Sequence, residues 1–264
     1  MEKKFVRNYA YIPSYDALTA SSQEALRETD EYLRTISGSD AACFSPEAMP
    51  PSNERDFWGH LEHDLSFMFD APLATADMAH VEAVRRERLV AAESIDDFGD
   101  VMAQTDAEAF IGLLKRCCER FALPQEMRGG DIRTSSDRGG YVVFPRADAL
   151  RSRMAELFDF LRAPSDGGPL FRSTVAMVLT TNAHPFADGN GRLSRLVSQL
   201  NLWNAGYPRD FYLPWPIFFH RSKGGILLRV RQAEIHGDWD DLFLSICRGI
   251  SHTVARSRRE RNDR

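Results

Sequence analysis

The segment His184-Pro185-Phe186-Ala187-Asp188-Gly189-Asn190-Gly191-Arg192-Leu193-Ser194-Arg195 gathers an imidazole, a carboxylate, two glycines and two guanidinium groups into one short run. An imidazole exchanges a proton near neutral pH and suits a general base, here His184. Asp188 offers the hard oxygen that Mg²⁺ takes beside a diphosphate. Gly189 and Gly191 permit unusual dihedrals and let a ligand approach the backbone closely. If the second half of the segment opens a helix, its unpaired amides and partial positive charge make an anion cradle. Arg192 and Arg195, three residues apart, share one face of that helix, and the guanidinium fork fits phosphate oxygens. Asp-Gly-Asn-Gly alone would spell a common turn. The ordered set carries more, because base, metal ligand, cradle and two cations are the parts needed for nucleophilic attack at phosphorus.

The elements that must position this segment read as mostly α. The periodicity predicts helices over 21–37, with Ser21 or Ser22 as cap, and over 54–70, 76–93, 106–121 and 147–162. A strongly apolar helix at about 170–183, with Val175, Ala176, Met177, Val178 and Leu179, is expected at the centre of the protein. A helix from about Gly191 to Asn204 comes next, closed by Gly206 and Pro208. Two more patterns cover about 222–235 and 238–253. Residues 1–20 read as an extended arm and Ser37 to Asn53 as a loop. Between Gly129 and Pro145, glycines punctuate the run Tyr141-Val142-Val143-Phe144, the signature of a short strand or hairpin.

The chain has 264 residues, of which 43% are hydrophobic and 27% charged, enough for one large core or one core with a small appendage. A net charge of −5 argues against a nucleic-acid partner. The basic runs at Arg85, Arg86 and Arg88, and at Arg256, Arg258, Arg259 and Arg261, read as solvated faces or a frayed terminus. Cys43, Cys117, Cys118 and Cys247 have neither zinc-ligand spacing nor disulfide density, which fits reduced thiols in a cytoplasmic protein. No stretch reaches the roughly 20 apolar residues of a membrane span.

The segment His184–Arg195 resembles the Fic (Fic/Doc) motif, H-P-F-x-D-G-N-G-R-x-x-R, at every specified position. Asp131-Ile132-Arg133-Thr134 and Phe144-Pro145 resemble the stretch that precedes this motif. Asn204-Ala205-Gly206-Tyr207-Pro208 resembles the stretch on its C-terminal side, and Gly237-Asp238-Trp239 the end of the fold. The resemblance implies a Fic-type helical bundle with a small β-hairpin flap. It divides the chain into an N-terminal arm and helical region (1–94), a catalytic domain (95–250) and a basic tail (251–264). It further implies a protein adenylyltransferase that moves AMP from ATP onto a Ser, Thr or Tyr hydroxyl of a target protein. His184 would be the base, Asp188 would hold Mg²⁺, Gly189, Asn190 and Gly191 would form the anion hole, and Arg192 and Arg195 would grip phosphates. Phe186 would pack into the core. The flap, Gly140, Tyr141, Val142, Val143 and Phe144, would dock the target by strand addition.

Two departures stand out. Where many relatives carry Asn and a Tyr-Tyr pair around the base pocket, this chain has Ser222 and the aliphatic pair Ile226 and Leu227, which lose hydroxyl handles and stacking. Relatives are also held off by a helix bearing Ser/Thr-x-x-x-Glu-Gly/Asn, whose Glu pairs with the second motif arginine. The best match here, Ser66 to Ala71 with Asp70 in the place of the Glu, reads either as such a regulatory helix near 60–75 or as an ordinary amphipathic helix end. An antitoxin protein supplying that helix, or self-association, is the other partner the resemblance allows. Transfer of another phosphate-containing group, and a non-catalytic nucleotide-binding regulator, remain as competing functions.

Overall fold

The computed structural model describes the backbone of residues 3–6, 10–45, 73–136, 140–164, 167–222 and 225–262. Its elements are β1 (Lys3–Val6), α1 (Ala20–Thr35), α2 (Gly38–Ala42), α3 (Leu73–Met102), α4 (Ala107–Arg120), β2 (Arg133–Ser136), β3 (Gly140–Val143), α5 (Leu150–Arg162), α6 (Gly168–Ala183), α7 (Asn190–Asn204), α8 (Trp215–Arg221), α9 (Gly225–His236) and α10 (Asp240–Asn262).

The centre is α6. Leu170, Phe171, Val175, Ala176 and Val178 are buried on several sides of it, so its neighbours surround it. Its main partner is α7, which in turn lies against α3, while α1 and α5 flank α6 and α10 covers α1. One continuous hydrophobic cluster runs from Leu18 to Val254. The expected division at residue 94 therefore falls inside the unbroken helix α3, and the expected start of a separate tail at 251 falls inside α10.

Local chemistry sets the boundaries. Thr19, not Ser21 or Ser22, caps α1, its hydroxyl accepting from the Ser22 amide at 3.4 Å. Asp106 caps α4 by accepting from the Glu108 amide at 2.9 Å. The N-terminal helix is tied to the centre through Asp30, which is 5% exposed. Its carboxylate accepts from the Leu170 amide at 3.0 Å and from the Tyr207 hydroxyl, capping the start of α6 across the fold. Gly168 makes that approach feasible: its φ is +73°, and a Cβ there would lie 2.0 Å from an Asp30 carboxylate oxygen.

The three strands form one sheet in the order β1-β3-β2. β2 pairs with β3 antiparallel, Arg133 opposite Val143 and Ser136 opposite Gly140. β1 pairs with the other edge of β3 in parallel, from Lys3 opposite Gly140 to Val6 opposite Val143. A bond from the Phe144 amide to the Ile132 carbonyl at 3.2 Å closes the base of the β2–β3 pair. Two elements were not expected from sequence: α8, within a stretch rich in aromatics and prolines, and the short α2, inside the segment read as a loop.

Candidate active site

His184 stands where α6 stops. It caps that helix in the left-handed conformation, φ 51° and ψ 57°, with its amide donating to the Thr180 carbonyl at 3.1 Å. That conformation costs a non-glycine residue on the order of 1 kcal/mol, and here it turns the chain back toward α7. The Phe144 ring, at the end of β3, lies 4.0 Å from the imidazole, centroid to centroid, tilted by 32°.

The turn between α6 and α7 is built around Phe186 and Asn190. Phe186 is fully buried, and Met127 forms an isolated bridge with it. The Phe186 amide donates to Asn190 Oδ1 at 2.9 Å, and Asn190 Nδ2 donates to the Phe186 carbonyl at 2.8 Å. This alters one expectation. The Asn190 side chain is 2% exposed and turned inward, so only its backbone amide remains for an anion hole. Gly189 caps α7 with φ +81°, and a Cβ on it would come 2.2 Å from Leu123 Cδ1, so both backbone and neighbour demand glycine. Gly191, in the first turn of α7, is exposed.

Asp188 leaves its side chain 68% exposed beside that helix start. Its Oδ1 accepts from the Gly189 amide at 2.6 Å, and its Oδ2 lies 3.3 Å from Arg192 Nη2. Among the described residues no group of three His, Cys, Asp or Glu side chains could hold a metal ion. A single exposed carboxylate beside a helix amino end does not make a resident metal centre. It does fit Mg²⁺, which commonly takes one or two protein carboxylates and completes its shell with substrate phosphates and water.

Arg195 is engaged by a residue that sequence reasoning missed. Its Nε lies 3.0 and 3.1 Å from the two carboxylate oxygens of Glu87 on α3, and its Nη2 bonds the same carboxylate. The Glu87 side chain is 1% exposed and that of Arg195 17%. The Tyr212 hydroxyl donates to Glu87 at 3.4 Å. Burial, together with the adjacent Glu87 carboxylate, pushes the Tyr212 phenol well above its ordinary range, so it stays a donor. Ser66 and Asp70, the sequence-derived partners for Arg195, lie outside the described residues; the described partner is Glu87. It escaped notice because Ala83 stands four residues before it and Arg88 directly after, where the pattern wants Ser/Thr and Gly/Asn. Ile226, expected at the base pocket, is fully buried in the core and offers no surface to a purine, whereas Leu227 is half-buried.

Residues 105–202 match the family described as Fic/DOC. Two curated relatives are similar over short stretches. The protein adenylyltransferase and cysteine protease IbpA of Histophilus somni (strain 2336) is 36% identical over 69 residues, 25% of this chain and 2% of that protein. The protein adenylyltransferase fic-1 of Caenorhabditis briggsae is 30% identical over 84 residues, 31% of this chain and 17% of that protein. The chain thus spans a small part of either relative's length. Among solved structures, a Fic family protein from Desulfovibrio desulfuricans G20 shares the fold with a TM-score of 0.60 at 17% identity, over 95% of this chain and 78% of that one. A Fic domain containing signaling protein from Bacteroides thetaiotaomicron VPI-5482 gives 0.51 at 16% identity, over 90% and 97%. The twelve-residue segment from His184 to Arg195 therefore lies within a stretch, residues 105–202, that is similar to the Fic/DOC family, in a chain whose fold is that of Fic family structures.

Proposed function

We propose that this protein is an adenylyltransferase that moves AMP from ATP to a Ser, Thr or Tyr hydroxyl of a target protein. The observation that carries the reading is the fold of His184–Arg195 itself: an imidazole at the end of one helix, and an exposed carboxylate and glycine amides at the start of the next, joined by a turn locked through Phe186 and Asn190. His184 takes the proton of the incoming hydroxyl. The oxygen attacks the α-phosphorus, a new P–O bond forms, the bond from the α-phosphorus to the bridging oxygen breaks, and pyrophosphate leaves. The amides at Gly189, Asn190 and Gly191 and the guanidinium of Arg192 would take up the charge that develops on the phosphate oxygens, which requires Asp188 to release the Gly189 amide that it binds here. Asp188 would hold Mg²⁺, which when bound neutralises charge on the α- and β-phosphates. The remaining contribution of the chain is positioning.

Two features bear on control of the reaction. Arg195, the group suited to the γ-phosphate, is occupied by Glu87, so ATP in a productive pose competes with that carboxylate. The outer edge of β3 is held by β1, so a target that docks there by strand addition takes the place of residues 3–6.

The test is incubation with ATP labelled once at the α- and once at the γ-phosphate. Label from the α-position on protein, lost in His184→Ala, is expected. Label from the γ-position would replace the reading with a kinase-like transfer. Tight nucleotide binding with no transfer in a Glu87→Ala protein would replace it with a non-catalytic regulator.

A further inference from the structure

Arg128 lies just before β2 and belongs to no helix, yet it is only 7% exposed. Its Nε donates to the His184 carbonyl at 2.8 Å, and its Nη2 donates to the Ala183 carbonyl at 3.2 Å and to the Pro145 carbonyl. Its Nη1 donates to the Gly130 carbonyl at 3.0 Å. The Arg128 amide also donates to the Pro185 carbonyl at 3.0 Å. One guanidinium therefore joins four backbone positions of two kinds. Ala183 and His184 are the carboxyl end of α6, where carbonyls lack helical partners and the helix dipole favours a cation. Gly130 and Pro145 are the two chain ends that enter and leave the β2–β3 pair.

We infer that Arg128 is a positioning residue that couples the β2–β3 pair to the catalytic base, holding the His184 ring against Phe144. The geometry requires it to act through backbone. It bonds the carbonyl of the residue whose ring does the chemistry, and the carbonyl of Pro145, one residue beyond Phe144. A shift of either end of the hairpin is thereby transmitted to the turn at His184, and the base is in register only when the strands are. A lysine cannot substitute, because its three donors on a flexible stem do not span four carbonyls as a planar fork does. The inference takes its functional meaning from the role proposed above for His184, but the coupling is measurable without any reaction.

The test is proton NMR of the His184 ring, assigned by its absence in His184→Ala. In the native protein the ring protons are expected to be displaced by the Phe144 ring current, and Phe144→Leu removes that displacement. Arg128→Lys and Arg128→Gln are expected to lose most of it and to speed exchange of the Phe144 amide by about tenfold or more. Affinity for Mg·ATP should stay within about twofold, because the Asp188–Arg195 end of the site is untouched. Ring current and exchange unchanged in both variants would overturn the inference. So would loss of ring current accompanied by an equal loss of nucleotide binding, which marks general unfolding. Should neither variant fold, native-state exchange of the unaltered protein decides: the Phe144 and His184 amides must open in one event, and two separate opening free energies would refute the coupling.

Discussion

Replacing Glu87 with alanine should raise the proposed transfer activity. Two Arg195–Glu87 contacts, at 3.0 and 3.1 Å, and a third through Nη2 join a carboxylate that is 1% exposed to a guanidinium that is 17% exposed. Opposite charges about 4 Å apart attract by about 4 kcal/mol at an effective dielectric near 20. Desolvating both groups and ordering two side chains takes back part of this, leaving about 2–3 kcal/mol in favour of the closed pair. At 1.4 kcal/mol per factor of ten, Arg195 becomes available to the γ-phosphate about 30- to 150-fold more often in Glu87→Ala. Position 87 lies inside α3, where alanine is a good helix former, so the backbone should be little disturbed. The same change removes the acceptor of the Tyr212 hydroxyl and should lower the Tm by a few degrees, a cost of about 1–3 kcal/mol. The assay is incorporation of α-labelled phosphate into protein at saturating Mg·ATP, with His184→Ala as background, alongside a thermal melt. Glu87→Gln, which keeps the shape but not the charge, should fall between. A folded Glu87→Ala protein whose transfer rate equals that of the unaltered chain would refute the reasoning.

Gly189→Ala should destabilise the protein by about 2 kcal/mol and weaken Mg·ATP binding about tenfold: a left-handed alanine is strained, and its Cβ would meet Leu123. An unchanged melting temperature together with unchanged nucleotide affinity would count against the assigned role of the α7 amino end. All four cysteines are buried, and burial, with the neighbouring Cys117 as a smaller cause, raises the Cys118 thiol from 9.0 to about 12. Burial likewise raises Cys247 to about 12 and Cys117 above its ordinary value. Because these folded-state values lie above the unfolded one, their stabilisation is complete below pH 9 and is lost as the pH rises toward 12. Melting temperatures should therefore hold level up to about pH 9 and fall between pH 9 and 11, and a thiol reagent at pH 8 should leave the native protein unmodified until denaturant is added. A flat profile, or prompt modification of the native chain, would contradict the buried placement.

The candidate site of this protein was legible in its sequence because its parts are contiguous. Imidazole, carboxylate, glycines and arginines succeed one another from His184 to Arg195, and the left-handed Gly189, the helix start at Asn190 and the apolar run of α6 are local properties that residue type and periodicity express. Local pattern said nothing of which partners lie across the fold. Glu87 reaches Arg195 over 108 residues in a sequence context that lacks the expected flanking residues, so only the packing of α3 on α7 brings them together. Arg128 reads as one more surface arginine until the chain closes around it and leaves four carbonyls facing its fork. The inward turn of Asn190, the complete burial of Ile226 and the seat of β1 on β3 were likewise decided by tertiary structure. Side-chain direction, desolvation and strand edges depend on what packs alongside, and a linear sequence does not contain its own neighbours.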